Sequence, residues 1–450
     1  MLGSIRSRWW LHPLFVLVPM LVAAGARAQP APAPAPEGQV MMTPPPENAG
    51  PVPGAPTPPP AVPPPAPPPP VSPVTGAAAT ETPEKKPPAG WLPGTGFVIQ
   101  SEDAAYRLRI GLQAAYKFEP VYQNGVWADR NTFFVLRPIL SGNFLRDWIH
   151  FWTSFEFASN PPYLLDSYIE LFPWKEFGLR IGQQFTPYDR HEYFGPQEIL
   201  FPEWAPVSEY FWPGRDKGVT AMGVLAEQLE YWAGIYSGTP LRQFNALPGN
   251  YVLEGRLTWS PLGPVGGTEF PYIVSEGPAP VRVSATIQGY YGRVQSAIEN
   301  FNPSTFTFQA MPSGERVKEG AGGADFWLQG PWFMLYVDAT IRRTTPEMGT
   351  AYTSAGVWGQ FGAMFVPKTM DAAIRVNWLN PSTSLSNDQF YDVEGQVAYY
   401  ASHSQHLVVK LRYAYGHQDS PGMTALGAVP LVISVPGRTQ LATLQLNLAF

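Results

Sequence analysis

The chain is 450 residues long, carries no cysteine and has a formal net charge of −6. That charge argues against a nucleic-acid partner, and the absence of thiols fits an oxidising compartment. Charged residues reach 14%, against about 25% in soluble domains, and aromatic residues also reach 14%, a balance that suits a body meeting lipid on one side and water on the other.

In chain order, Arg6 and Arg8 precede an apolar run over 11–24, and Ala26-Arg27-Ala28 supplies small residues before Gln29. This is the pattern of a secretory signal peptide over 1–28; the run is short for a retained anchor, and Pro19 interrupts it. Beyond residue 28 no apolar run approaches the ~20 residues of a spanning helix, so any membrane crossing is left to strands. Residues 29–90 hold 24 of the 53 prolines, in runs such as PAPAPAPEG and PPPAPPPP. Proline lacks the amide donor that a ladder needs, so this segment is predicted to be disordered and extended, rising ~3.1 Å per residue. It reads as an inert linker or as a spacer reaching a partner.

From Trp91 onward the texture changes to short alternating segments. The cleanest is Tyr106-Arg107-Leu108-Arg109-Ile110-Gly111-Leu112-Gln113, whose even positions stay apolar through Phe118. The same period of two predicts strands near 131–144, 149–158, 164–172, 176–185, 217–225, 228–237, 251–259, 281–292, 324–329, 332–343, 351–366, 370–379, 389–401, 405–415 and 438–450. The last of these, RTQLATLQLNLAF, alternates cleanly and ends on Phe450. Connections at 144–148, 173–176, 226–228, 329–331, 367–369 and 402–405 are tight. Longer ones are predicted at 119–130, 159–163, 186–216, 238–250, 293–323, 380–388 and 416–436. Short and long connections alternate, as the two rims of an up-and-down barrel require. Residues 260–280 are the exception, long where a turn is expected.

Rings gather near strand ends (Tyr116, Phe118, Phe151, Phe155, Trp259, Trp332, Phe333, Trp378, Tyr413, Tyr415), where the two aromatic girdles of a membrane barrel lie. The predicted fold is therefore all-β: a transmembrane antiparallel up-and-down β-barrel of about 16 strands over 91–450, in the outer membrane of a Gram-negative cell. Residues 29–90 would then lie in the periplasm, within reach of the cell wall.

With apolar positions facing lipid, the alternate positions face the lumen. These include Arg107, Arg109, Lys117, Arg137, Arg180, Arg256, Arg282, Arg342, Arg375, Lys410 and Arg412. The acids of the same parity are Glu119, Glu156, Asp166, Glu170, Glu254, Asp338, Asp371, Asp392 and Glu394, so the wall charges nearly cancel. A barrel of this size leaves a water-filled lumen. The connection over 186–216 carries its own apolar residues and is too greasy to sit in solvent, so it is the candidate constriction loop, packed on the inner wall. Arg190, His191, Arg215 and Lys217 would form one side of an eyelet, facing Asp189, Glu192, Glu198 and Asp216; charge rings of this kind choose ions. The rival reading is an external lid or a subunit contact.

GTGFVIQSEDAAYRLRIGLQAAYKF, FFVLRPILSGNF and DSYIELFPWKEFGLRIGQQFTPYDRHE together resemble the phosphate-selective porin O and P family. The resemblance covers about 95–220 and the closing strand. It implies a sixteen-stranded barrel, a homotrimer, and basic pore residues that draw anions through passively, with Gly182 to Glu192 leading into the constriction loop. The chain departs from that family at Arg137, which is followed by Pro138 rather than a second arginine, and in interleaving acids among its basic residues.

The function read from the sequence is passive diffusion of small hydrophilic solutes, anions such as phosphate among them. The alternative is an outer-membrane anchor using the proline-rich leader as tether. No enzyme, cofactor or metal site is expected: of six histidines only His191 lies near acids in a plausible pocket, and His403 and His406 lack neighbouring carboxylates or thiols.

Overall fold

The computed structural model describes residues 89–449 except 93–95, 104, 124, 160, 240–248, 266–267, 270–279, 303–306, 348, 386–387, 404 and 420–436, with backbone only at 92, 123, 295–302, 307–315, 402 and 437. The predicted signal peptide, nearly all of the proline-rich segment, most of the 416–436 connection and Phe450 lie outside the described residues.

Two short strands, β1 (Gly90–Leu92) and β2 (Gly96–Gln100), lead into sixteen longer ones. These are β3 (Arg107–Gln123), β4 (Val126–Phe144), β5 (Arg146–Glu156), β6 (Tyr163–Trp174), β7 (Phe177–Phe185), β8 (Arg215–Leu225), β9 (Leu229–Tyr236) and β10 (Tyr251–Trp259). They continue with β11 (Arg282–Asn302), β12 (Thr307–Gln329), β13 (Phe333–Pro346), β14 (Tyr352–Val366), β15 (Met370–Asn380), β16 (Phe390–Tyr400), β17 (Leu407–Gln418) and β18 (Gly437–Ala449). From β3 onward each pairs antiparallel with the next, and β18 returns to β3, with Leu444 opposite Phe118 and Leu446 opposite Tyr116. The result is a closed sixteen-stranded barrel with two extra strands. Within the described residues, closure gives each of the sixteen strands a neighbour on both sides, leaving no unpaired edge to hydrocarbon around the barrel.

Side-chain parity turns a soluble protein inside out. Ile287, Ile374, Leu411 and Leu446 are 63, 51, 58 and 45% exposed, whereas Asp371, Arg375, Lys410 and Arg412 are at 1% or less. Apolar exterior and charged interior together are stable only where the outside meets lipid. Tyr116, Phe118, Phe155, Trp259, Trp332, Trp378 and Tyr413 are exposed on that outer face.

The first barrel strand, β3, has two partners along the edge opposite β4. Its Gln113–Gln123 portion pairs with β18, and its Arg107–Ile110 portion with β2, which takes over where β18 has ended. Gly96 makes this possible: it has φ of +87°, and a side chain there would collide with the Ile110 carbonyl. The chain thus enters the barrel at the rim of short turns.

Two predicted loops are strand instead. The 119–130 connection is a tight turn between Gln123 and Val126, because the alternation continues past Pro120. Glu119 and Arg130 pair on the inner face, and the Tyr122 and Trp127 rings lie 5.0 Å apart across the strands. The 293–323 connection is likewise largely β11 and β12, paired from Arg282–Gln329 out to Asn302–Thr307. Glycines 320, 322 and 323 mask the period of two, but ladder hydrogen bonds need only backbone. The anomaly at 260–280 is a true insertion: β10 and β11 pair in register from Trp259–Ala285 to Tyr251–Arg293.

Candidate functional site

The segment between β7 and β8 folds into the barrel. Its neck is closed by Thr186, whose N–H and Oγ1 both donate to the Gly214 carbonyl at 3.3 and 2.9 Å. Inside follow a 3-10 turn (His191–Tyr193) and a short helix, α1 (Pro206–Phe211), started by proline at its first turn. Ile199, Leu200, Phe201, Val207, Tyr210 and Phe211 are buried against inward rings of the far wall, among them Trp327, Tyr336 and Trp358. Phe194 stacks edge-on to Trp327 at 5.3 Å, and His191 lies 4.5 Å from Trp358. A side chain at Gly356 would strike Val207 and Phe211, so glycine there admits the helix to the wall.

Polar contacts complete the docking. Lys410 Nζ donates to three loop carbonyls, Ile199 at 2.6 Å, Phe201 at 3.0 Å and Pro196 at 3.2 Å. Gln396 donates to Leu200 O at 2.6 Å, Arg375 to Glu203 O at 2.9 Å, and Arg342 to Tyr210 O at 2.9 Å. Glu203 itself is buried between Lys117 and Arg412, the latter at 3.1 Å. Burial alone would raise its carboxyl, but Lys117 and Arg412 hold it below the usual carboxylate range. Lys117, Arg375, Lys410 and Arg412 were predicted to line the pore; the structure places them under the loop, as its clamp.

A second polar knot lies within the loop. Ser208 Oγ sits 2.6 Å from Asp189 Oδ2 and 2.9 Å from Glu192 Oε1. Burial, with Glu209 and Asp189 nearby, holds the Glu192 carboxyl well above its ordinary value. A raised carboxyl favours the docked loop when protonated. Docking is therefore strongest below the free value of 4.5 and weakens as pH rises through the higher docked value. Conductance across planar bilayers is expected to fall on acidification over that window, and Glu192→Gln to flatten the dependence; an unchanged pH profile in the variant would remove Glu192 from the effect.

The 260–281 connection, from the opposite rim, meets this loop. Glu269 is fully buried, accepts from Gln360 Nε2 at 2.6 Å and from the Leu200 N–H, and lies 3.1 Å from His191 Nδ1. Its own N–H donates to Glu198 O at 3.0 Å. His191 Nε2 accepts from the Ala205 N–H at 3.2 Å, so the ring spends both nitrogens on structure.

Between the loop and the β3–β8 side of the wall remains a cavity of about 180 Å³. Of the predicted residues, Arg137, Arg180 and Arg215 line it, opposed by Asp166 and Glu198. Arg109 is half-buried close to Glu198, and Arg107 is exposed at the turn rim, donating to Gln100 at 3.1 Å. Arg190 is turned to the far wall, on Ser284 Oγ at 2.6 Å and over the Trp327 ring at 4.8 Å. Lys217 is half-buried beside Asp216 and stands outside the cavity lining, while Asp216 accepts from the Gly238 N–H at 2.6 Å. The lining arginines are each paired: Arg137 with Glu156 at 2.6 Å, Arg180 with Glu170 at 2.6 Å, Arg215 with Asp166 at 2.8 Å.

Sequence reasoning missed the rings of the cavity, Trp152, Tyr168, Phe185, Tyr193 and Phe194, and the anchors Glu203 and Glu269. Trp152 and Tyr168 sit at inward positions of predicted strands, so parity alone could have found them. Glu269 had no signal beyond the unexplained length of its connection.

Neither a protein-family model nor a curated protein sequence matches the chain. Solved structures do match in fold. An anion-selective porin from Comamonas acidovorans is 10% identical with a TM-score of 0.53, over 76% of this chain and 99% of that one. OprB of Pseudomonas putida, at high pH, is 11% identical with a TM-score of 0.50, over 76% and 94%. The trimer form of OmpT, an outer membrane protein of Vibrio cholerae, is 12% identical with a TM-score of 0.50, over 76% and 99%. They share the porin barrel without singling out the phosphate-selective family.

Proposed function

We propose that this chain is an outer-membrane porin, a passive channel for small hydrophilic solutes with a mild preference for anions. The observation that carries this reading is the contrast between an apolar outer face and a charged interior, filled in part by an inward loop that leaves an arginine-lined cavity. The barrel is shared with a porin described as anion-selective. Phosphate enters this reading as one small anion among several, because each arginine lining the cavity stands on an acid. The trimer form of a fold relative supports a homotrimer here, and the entry of the chain at the turn rim supports placing the proline-rich leader in the periplasm. The reading is transport rather than catalysis, with no cofactor.

Single-channel recording in planar bilayers with a salt gradient tests it. Discrete steps and a reversal potential on the anion side are expected, and Arg215→Ala should move that potential toward cation preference. Arg190→Ala should disturb loop docking instead. A protein that inserts but never conducts would defeat the channel reading.

A further inference from the structure

We infer that the cavity is a binding station for planar organic monocarboxylates, small anions whose body is an unsaturated ring; the inference rests on the channel reading above. The first ground is size. An apolar cavity of about 150 Å³ accommodates benzene, and this one, at about 180 Å³, has room for one ring and its carboxylate.

The second is the pairing of surfaces. Trp152, Tyr168, Phe185 and Tyr193 give the cavity flat apolar walls, which a hydrated tetrahedral ion cannot use but a ring can. The guanidinium groups of Arg137 and Arg215 supply planar forks that match a carboxylate, and Arg180, whose Nε and Nη2 are both taken by Glu170, adds positive charge beside them.

Their orientation is set in advance. Each arginine spends its Nε on an acid, Arg137 on Glu156 at 2.6 Å, Arg180 on Glu170 at 2.7 Å and Arg215 on Asp166 at 2.8 Å. Two are further held over rings, Arg215 3.5 Å from the Phe185 centroid and Arg180 4.5 Å from that of Tyr168. A side chain already immobilised loses little entropy when a ligand arrives.

The third ground is charge. Asp166 and Glu198 stand in the same lining, so a dianion meets repulsion where a monoanion meets a nearly neutralised site with a flat slot beside it. Inorganic phosphate therefore fits less well than a ring carboxylate.

The test titrates benzoate, acetate and inorganic phosphate against the chloride current of the full chain in planar bilayers. Benzoate is expected to block at concentrations at least tenfold lower than acetate or phosphate. Trp152→Leu, which strands no charge, and Arg180→Gln should each collapse the benzoate-to-acetate ratio toward one. A conducting channel that treats benzoate and acetate alike overturns the assignment and leaves the porin reading intact. If the protein does not conduct, the porin reading fails, and calorimetry of benzoate with the detergent-solubilised chain then decides the site. Heat of binding that Trp152→Leu abolishes upholds it, and its absence overturns it.

Discussion

Replacing residues 188–212 by a short glycine–serine link should raise single-channel conductance at least about threefold, since a sixteen-stranded wall without its loop encloses an open aqueous lumen. The neck survives the change, because the Thr186–Gly214 hydrogen bonds lie outside the excised part. The loop removes apolar as well as polar surface from the lumen, so its loss exposes Trp327, Tyr336 and Trp358 to water. The barrel should nevertheless fold. Lys117, Lys410 and Arg412 lose their loop partners, but water replaces those partners at once. Their charges are then hydrated rather than stranded. Unchanged conductance in a correctly folded variant would show that the loop does not set the width of the path.

The single change Glu203→Gln is expected to be more damaging to stability than the whole deletion. The loop stays in place and keeps water out, while Lys117 and Arg412 lose the carboxylate between them. Breaking a buried pair in this way costs about 3–5 kcal/mol. Arg412 retains Glu394 at 3.1 Å, so the larger deficit falls on Lys117. Thermal unfolding in detergent should shift downward, and single-channel traces should flicker as the loop samples undocked positions. Lys117→Met combined with Glu203→Gln should recover part of the loss by removing the stranded cation. A double variant no more stable than Glu203→Gln would place the defect elsewhere.

These two results separate roles that the wall residues otherwise share. Basic side chains on β15 and β17, together with Lys117, act on the loop; those on β4, β7 and β8 line the cavity. The two groups have the same chemistry. Glu269 adds a contact from the turn rim, so the docked loop is held from both ends of the barrel.

Much of this was legible in the amino-acid order. Strand alternation such as Leu411-Arg412-Tyr413 is local, because side chains in a strand point to opposite faces with a period of two. It determined the fold class, the strand number, the inward parity of the wall charges and the unusual character of the 186–216 connection. The extra lengths of β3–β4 and β11–β12 escaped because proline and glycine interrupt the pattern without interrupting the ladder. What only the tertiary structure decided is which inward residue meets which. Lys410 and Pro196 are far apart in sequence, and no periodicity links a loop to the wall it crosses to reach. Whether an inward arginine faces solute or clamps a carbonyl depends on where that loop comes to rest, and its resting place is set by packing across the lumen rather than by any neighbour along the chain.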